Sequence, residues 1–355
     1  MRILITGNMG YVGGGIVRHL RRQDPEVHLA GLDTGYFAHA VTDPAGVPER
    51  RLDVQYFGDV RNPPAGIFDG IDAVVHLAAI SNDPMGHAFE KVTFAINRDA
   101  TMSLAERAKA AGVSRFVFAS SCSVYGFADT SYGAGVTEDA PVNPLTAYAR
   151  SKVEAERGLA RIADEGFVVT CLRFATACGM SERLRLDLVL NDFVANAIAA
   201  KEIRIMSDGS PWRPLIDVKD MARAVDWAIG RKLSTGGKCL IVNAGSDAWN
   251  FQVKDLAAAV ADVLGGVKVA INPEGMPDKR SYRVDFRLFR QLAPDHHPQC
   301  DLATTIQHLA IGLRRIGFDD REFRRSSYVR LNMLTALRES GELTEDLEWR
   351  RRLSE

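Results

Sequence analysis

Paired or clustered cysteines are missing from this sequence. The five present, Cys122, Cys171, Cys178, Cys239 and Cys300, are scattered and odd in number, which argues against a disulfide framework or a cysteine metal knuckle; they read as reduced thiols. Long apolar runs are missing too. None reaches membrane-spanning length, and Met1 to Thr6 already follow a strand pattern, so no secretory leader is expected. Nor is there an excess of one charge: 44 Lys and Arg stand against 45 Asp and Glu, a formal net charge of −1, with no basic face for nucleic acid and no acidic tail. Repeats and low-complexity segments are absent. What remains is a 355-residue chain, 46% hydrophobic and 25% charged, long enough to bury a large core in one or two domains. A cytoplasmic address and small-molecule partners are the expectation. No metal is expected either, since the pair His296-His297 offers two ligands only and suits an exposed loop.

The first half alternates short β-rich apolar runs with amphipathic stretches. Arg2–Thr6, Val27–Asp33, Val54–Gly58, Ala73–Ala78, Phe116–Ser121 and Val168–Phe174 are the candidate strands. Gly13–Arg22, Ala88–Ala111 and Ala147–Asp164 carry apolar residues at helical spacing between them. This alternation predicts an α/β fold with a doubly wound parallel sheet of the Rossmann type over residues 1–175. Residues 176–355 predict a smaller, mixed α/β second domain: helix Leu186–Ala200, strand Ile203–Met206, helix Val218–Ile229, strand Cys239–Asn243, helix Val253–Leu264 and strand Val267–Ile271. No Pro, Gly or Ser linker marks the boundary, so the parts are expected to share an interface and to exchange elements. The charged tail from Arg321 onward suits one amphipathic helix over Tyr328–Leu337 and suggests no chemistry.

The first strand runs directly into Thr6-Gly7-Asn8-Met9-Gly10-Tyr11-Val12-Gly13 and then into a helix. Each glycine has a task in that context: a sharp turn at Gly7, close backbone approach to a pyrophosphate at Gly10, tight helix packing at Gly13, with the helix N-terminus facing the negative charge. A purely structural turn is the weaker reading. Asp33 ends the second strand about twenty residues on, where a carboxylate accepts both hydroxyls of an adenosine ribose and repels a 2′-phosphate. No adjacent arginine follows, so NAD is favoured over NADP. Asp59, after the third strand, either reaches adenine or caps its own loop. His76, inside an apolar strand, reads as a hydrogen-bonded core histidine.

Tyr148 and Lys152 stand four apart, so on a helix both project from one face. A phenol titrating near 10 is a poor base at neutral pH, but a nearby ammonium favours the phenolate, which can then take a proton from a sugar hydroxyl. Such a pair alone is common on helix surfaces. The strand ending in Ser120-Ser121-Cys122-Ser123-Val124-Tyr125-Gly126 adds hydroxyls at the carboxyl end of a parallel strand, where this kind of sheet binds ligands. Ser121 is the candidate to orient a substrate oxygen; Ser120 and Ser123 suit turn capping.

Taken together, Thr6-Gly-x-x-Gly-x-x-Gly13, His76-Leu-Ala-Ala79, Ser120-Ser-Cys-Ser-Val-Tyr-Gly126 and Tyr148-x-x-x-Lys152 resemble the extended short-chain dehydrogenase/reductase family, in its nucleotide-sugar epimerase and dehydratase branch. Asn97, Leu172-Arg173 with Gly179, and Trp212 to Asp220 extend the resemblance to nearly the whole chain. It implies Ser121, Tyr148 and Lys152 as catalytic residues, and Val60, Leu77, Ala78, Ala79 and Asn97 beside the glycine loop in the cofactor site. It implies a nucleotide-diphosphate sugar near Ser81, Asn82, Cys122, Ser123 and Thr176. Arg213, set in an apolar stretch, would grip the diphosphate, with Arg280 and Arg283 open between that role and the surface. Dehydratases of this branch carry acidic residues where this chain has Cys122 and Ser123, which argues against 4,6-dehydration. Cys122 reads as a small buried residue rather than a thiol acid. The set present suffices for 4-epimerisation through a transient 4-keto sugar, as in UDP-glucose 4-epimerases, although Thr176 replaces an expected Asn. A 4-ketoreductase or dehydrogenase, or a dehydratase of the same family, and more remotely a silent dinucleotide-binding regulator, are the competing readings. The resemblance also implies a homodimer through Ala88–Ala111 and Ala147–Asp164.

Overall fold

A computed structural model describes residues 1–42, 46–128, 135–272, 274–275 and 280–350. Six strands, β1 (Arg2–Thr6), β2 (His28–Asp33), β3 (Val54–Phe57), β4 (Ala73–His76), β5 (Arg115–Ser121) and β6 (Val168–Phe174), fall where the alternation predicts them. They lie in one parallel sheet of order β3-β2-β1-β4-β5-β6, completed at its far edge by a seventh strand introduced below. Successive side chains go to opposite faces. Ile3 and Ile5 enter one core and Leu4 the other; Val117 parts in the same way from Phe116 and Phe118. Two buried faces explain why these strands read as continuous apolar runs.

Helix α1 (Gly13–Gln23) buries Ile16, Val17 and Leu20 against the first face. The stretch expected as one helix from Ala88 to Ala111 is divided. Helix α2 (Asp83–Ala88) and α3 (Glu90–Phe94) are separated by non-helical Phe89, and a π turn over Ala95–Ala100 precedes α4 (Thr101–Ala110). The π turn has a local reason. It carries fully buried Asn97, whose side chain both accepts from Ile80 N (2.8 Å) and donates to Ile80 O (2.9 Å), pinning the loop after β4. Helix α5 (Ala147–Ile162) starts at Thr146, whose hydroxyl accepts from Ala149 N.

Beyond residue 175, β7 (Thr176–Cys178) and β9 (Trp212–Asp217) pair in parallel, and β11 (Asn250–Gln252) adds antiparallel to β9. Strands β8 (Glu202–Ile205) and β12 (Lys268–Ile271) form a separate parallel pair. Helices α6 (Val189–Ala200), α8 (Val253–Leu264) and α10 (Leu302–Arg315) pack on one another beside them, and short α9 (Arg287–Leu292) leans on the seventh strand of the main sheet.

A cut at residue 175 does not separate the layers. Helix α7 (Val218–Gly230) lies against α1 and the underside of β4 to β6, and β10 (Cys239–Ala244) is the seventh strand, parallel to β6. Strand β6 is buried along its whole length and therefore needs a neighbour on both sides. The tail forms α11 (Arg330–Glu339), close to the predicted span, and then returns across the loop after β2. Leu334, Leu343 and Leu347 share a core with Tyr36 and Val60.

Between α7 and β10 the chain is tied down by Arg231, only 2% exposed. Its guanidinium donates to Val169 O, Thr170 Oγ1, Thr235 O and Gly237 O at 2.7 to 2.8 Å. Replacement by methionine leaves those acceptors buried and unsatisfied, so Arg231→Met is expected to lower stability by roughly 2–4 kcal/mol in urea unfolding. An unchanged unfolding midpoint would remove this residue from the account of how β10 is held.

Candidate active site

The strand order reverses between β1 and β4, and a cavity of about 700 Å³ opens at the carboxyl ends of the strands there. Gly7 makes the turn out of β1 with φ +73°, and an added Cβ would stand 2.6 Å from Ala78 N. A Cβ on Gly13 would come within 2.4 Å of Asn8 O, so α1 can start this close to β1 only with glycine. The start of α1 at Gly13, with Tyr11 and Val12 just before it, therefore borders the cavity and presents it with N–H groups that no helical carbonyl can satisfy.

Asp33 lies at the same cavity. Its Oδ1 accepts from Gly35 N (2.8 Å) and its Oδ2 from Met9 N (3.0 Å), which fixes the carboxylate while leaving lone pairs on both oxygens. Burial raises its pKa. Val60, Leu77, Ala78 and Ala79 complete this end of the cavity with Gly10. Asp59 borders it too, but its carboxylate is taken up by Arg61, accepting from Arg61 N and from the guanidinium at 2.6 to 3.1 Å; of the two readings open for it, loop capping is the one this geometry favours. A glycine cradle that side chains would fill, a helix N-terminus and a ribose-height carboxylate together fit a dinucleotide.

At the other end, Ser121 closes β5, and Tyr148 and Lys152 reach the cavity from the first turns of α5. Ser121 lies close enough to the Tyr148 phenol to oppose the rise in its pKa, and Ser121 Oγ accepts from Ser123 N (3.1 Å). Lys152 Nζ donates to Ala119 O (2.7 Å) and lies 5.8 Å from the Tyr148 ring centre. Burial pushes Tyr148 up to about 12 and Lys152 down to about 7. His76 is held neutral, near 3, by burial and by Lys152, and shares hydrogen bonds with the hydroxyls of Thr6 (2.6 Å) and Thr101 (2.9 Å). It is a core residue, as its setting in the strand predicts.

Ser81, Asn82, Ser123, Thr176, Arg213 and Arg280 border this half of the cavity. Arg280 donates to Asp83 Oδ2 (2.5 Å), and Asp83 also accepts from Thr146 (2.6 Å), the cap of α5. Five expected site residues do not border the cavity. Asn8 points under Gly31 toward Gln55 (2.6 Å), and Met9 contributes its backbone N–H to Asp33. Asn97 acts on the wall through Ile80, and Arg283 stacks on Trp212 at 4.7 Å. Cys122 donates to Arg173 O (3.1 Å), and burial pushes its thiol well up. Of the arginine motif expected near residue 280, Asp278 and Lys279 lie outside the described residues.

Sequence reading missed Arg185 and Asp187. Buried Arg185 donates to both carboxylate oxygens of Asp187 and to Ser81 Oγ, each at 2.9 Å, and Asn82 Nδ2 donates to Asp187 (2.8 Å). Burial alone would raise Asp187, but the adjacent guanidinium outweighs it and holds the carboxyl below its ordinary value. The signal was there: two opposite charges two apart inside the apolar run Leu184–Leu190.

Residues 3–245 match the NAD dependent epimerase/dehydratase family. The chain belongs to that family. Relatives of this epimerase/dehydratase chain include the UDP-glucose 4-epimerase of Streptomyces lividans, 28% identical over 280 residues, covering 74% of this chain and 81% of that protein. The dTDP-glucose 4,6-dehydratase of Streptomyces griseus is 28% identical over 308 residues, covering 85% and 90%. Among solved structures, a UDP-glucose 4-epimerase from Stenotrophomonas maltophila with bound NAD and formylated UDP-arabinopyranose superposes with a TM-score of 0.76 at 24% identity, over 89% of this chain and 99% of that one, and shares the fold. The enzyme is NAD-dependent and of the extended short-chain dehydrogenase/reductase type.

The Lys152 shift carries a pH signature. Its ammonium titrates near 7 in the folded, nucleotide-free protein and near 10.5 when unfolded. Between those values the unfolded chain binds the extra proton, so this residue makes stability rise with pH from about 7 to about 10. Urea midpoints of the nucleotide-free protein are expected to increase over that range, and Lys152→Met to flatten the rise. Identical profiles for the two proteins would show that Lys152 is not desolvated in the way described.

Proposed function

We propose that this enzyme is a nucleotide-sugar 4-epimerase, of the UDP-glucose 4-epimerase kind, which passes through a 4-keto sugar. One observation carries the reading: Ser121, Tyr148 and Lys152 meet at the cavity, while Cys122, Asp187 and Asp83, groups beside them that could supply acid for an elimination, are already held. Cys122 is turned to Arg173 O, Asp187 is paired with Arg185, and Asp83 with Arg280. Bound NAD would supply the hydride acceptor for the sugar carbon and the hydride source for its return. Tyr148 takes the proton from the C4 hydroxyl and later gives it back. Ser121 orients that oxygen without itself titrating, and the Lys152 ammonium favours the phenolate. Arg213 and Arg280 are suited to the diphosphate. Glycine-loop residues Gly7 to Gly13, together with Asp33, hold the dinucleotide.

A homodimer through the outer faces of α3, α4 and α5 accompanies this reading. It is supported by the charged and aromatic cluster there, in which Arg98 and Arg150 flank Phe94 and pair with Glu154 and Glu90. Five free cysteines suit a reducing, cytoplasmic compartment, and among the described residues no helix is long and apolar enough to cross a membrane. Gel filtration at micromolar concentration is expected to give the dimer; a monomer's elution volume would rule out the α3–α5 interface.

Denaturing the purified protein and quantifying released nucleotide is the first test. Near-stoichiometric NAD, followed by interconversion of 4-epimeric nucleotide sugars without added cofactor, is the expected result. Tyr148→Phe is expected to retain NAD while turnover falls by roughly 10²- to 10⁴-fold. An empty protein that binds NADPH preferentially would overturn the reading of Asp33 and point to a ketoreductase, and full activity in the Phe variant would remove Tyr148 from the chemistry.

A further inference from the structure

The tail contributes a residue to the cavity. Arg330, the first residue of α11, is 1% exposed and borders the cavity with Phe37 and Tyr11. Its Nη2 donates to Arg183 O (2.9 Å), and its guanidinium stacks on the Phe37 ring at 4.3 Å. Its Nη1 is buried with no hydrogen-bond partner among the described residues, and no carboxylate there pairs with it. The neighbouring guanidiniums are already matched, Arg183 by Glu49 and Arg185 by Asp187. Burial and these two like charges lower the pKa of Arg330 to about 9. A buried, unmatched guanidinium facing a cavity is unfavourable unless an anion arrives to satisfy it.

The side of the cavity on which it stands decides which anion. Phe37 belongs to the loop after β2, the loop that follows Asp33, and Tyr11 opens α1, whose N-terminus faces the pyrophosphate of a dinucleotide. Arg213 and Arg280, suited to the diphosphate of the sugar nucleotide, instead sit with Trp212, Tyr282 and Asp83. The tail beyond α11 is bound to that same loop. Tyr36 OH donates to Leu347 O and Trp349 Nε1 to Thr34 O (2.7 Å), while from the loop after β3 Arg61 Nη1 donates to Asp346 O (2.7 Å).

We propose that Arg330 binds the pyrophosphate of the bound dinucleotide and that residues 330–350 form a strap over the adenosine side of the cofactor that slows its release. A guanidinium fork matches two phosphate oxygens, and Arg183 O and the Phe37 ring hold it in place. This rests on the cofactor class alone and stands whichever reaction the enzyme performs.

The test uses the full chain stripped of nucleotide, with NAD, ADP, adenosine and UDP as probes in calorimetry. Arg330→Gln is expected to weaken NAD and ADP by roughly 10- to 100-fold, the effect of losing a charge-assisted hydrogen bond, and to change adenosine and UDP by less than about 3-fold. Arg330→Lys, which keeps the charge and loses the fork, should fall between wild type and Arg330→Gln for NAD, and supplies the measurement if the Gln variant does not fold. Trp349→Ala leaves Arg330 in place and should speed NAD release in a chase with excess competitor. Unchanged NAD affinity in both Arg330 variants would overturn the proposal. So would a loss confined to UDP, which assigns Arg330 to the sugar nucleotide, or an equal loss for adenosine and ADP, which reduces it to a packing role.

Discussion

The face of α5 that carries Tyr148 and Lys152 depends on one buried ion pair. Arg173 on β6 meets Glu156 through Nε (3.0 Å) and Nη2 (2.8 Å), with side chains 7% and 2% exposed. Glu156 also accepts from Ser120 Oγ (2.5 Å), and Arg173 donates to Tyr125 OH, which in turn donates to Asn243 on β10. Such a pair adds little net stability, because desolvation offsets most of the attraction; what it does add is a single permitted geometry. Tyr148, Lys152 and Glu156 follow one another at intervals of four, so fixing Glu156 against the sheet sets the rotation of the whole helix. The same network sets the end of β5, from which Ser121 reaches the cavity. The positions of Ser121, Tyr148 and Lys152 at the cleft are thereby referenced to the interior of the sheet.

Electrostatics in the cleft are arranged for a charged guest. Without the nucleotide, burial disfavours charge on both members of the Tyr148 and Lys152 pair, and His76 below them is neutral. A positive charge beside the phenol would shift the balance toward the phenolate, the form that a proton acceptor requires. The acidic groups nearby cannot compete for that role, because arginines neutralise them.

Sequence patterning was sufficient wherever a local rule operated. The first six strands, the glycine turn, Asp33 and the Tyr148 to Lys152 spacing all follow from period, strand-end position or helical geometry within a few residues. It failed where the cause lies far along the chain. Nothing around Cys239 says that β10 will complete the first sheet, because the need for it belongs to β6. The π turn around Asn97 answers to the backbone of Ile80, a partner that helical periodicity cannot reveal. Asn8, Met9 and Cys122 sit inside motifs whose neighbours face the cleft, and only the pleat and the turn decide that they face away. The tail looked like an ordinary solvated helix because Arg330 resembles any surface arginine until Phe37 is placed beneath it.

The lateness of β10 bears on how the chain is made. Strand β6 leaves the ribosome with one edge unpaired, and its partner follows only after Cys239. At roughly 5–20 residues per second, that edge stays open for several seconds during synthesis. It is a seven-residue strand, apolar except for Thr170 and Arg173 and buried throughout in the finished molecule, and thus the kind of surface that pairs with another nascent chain. Chaperone demand and inclusion-body formation in this protein should therefore respond more to the interval between β6 and β10 than to the catalytic half that precedes it.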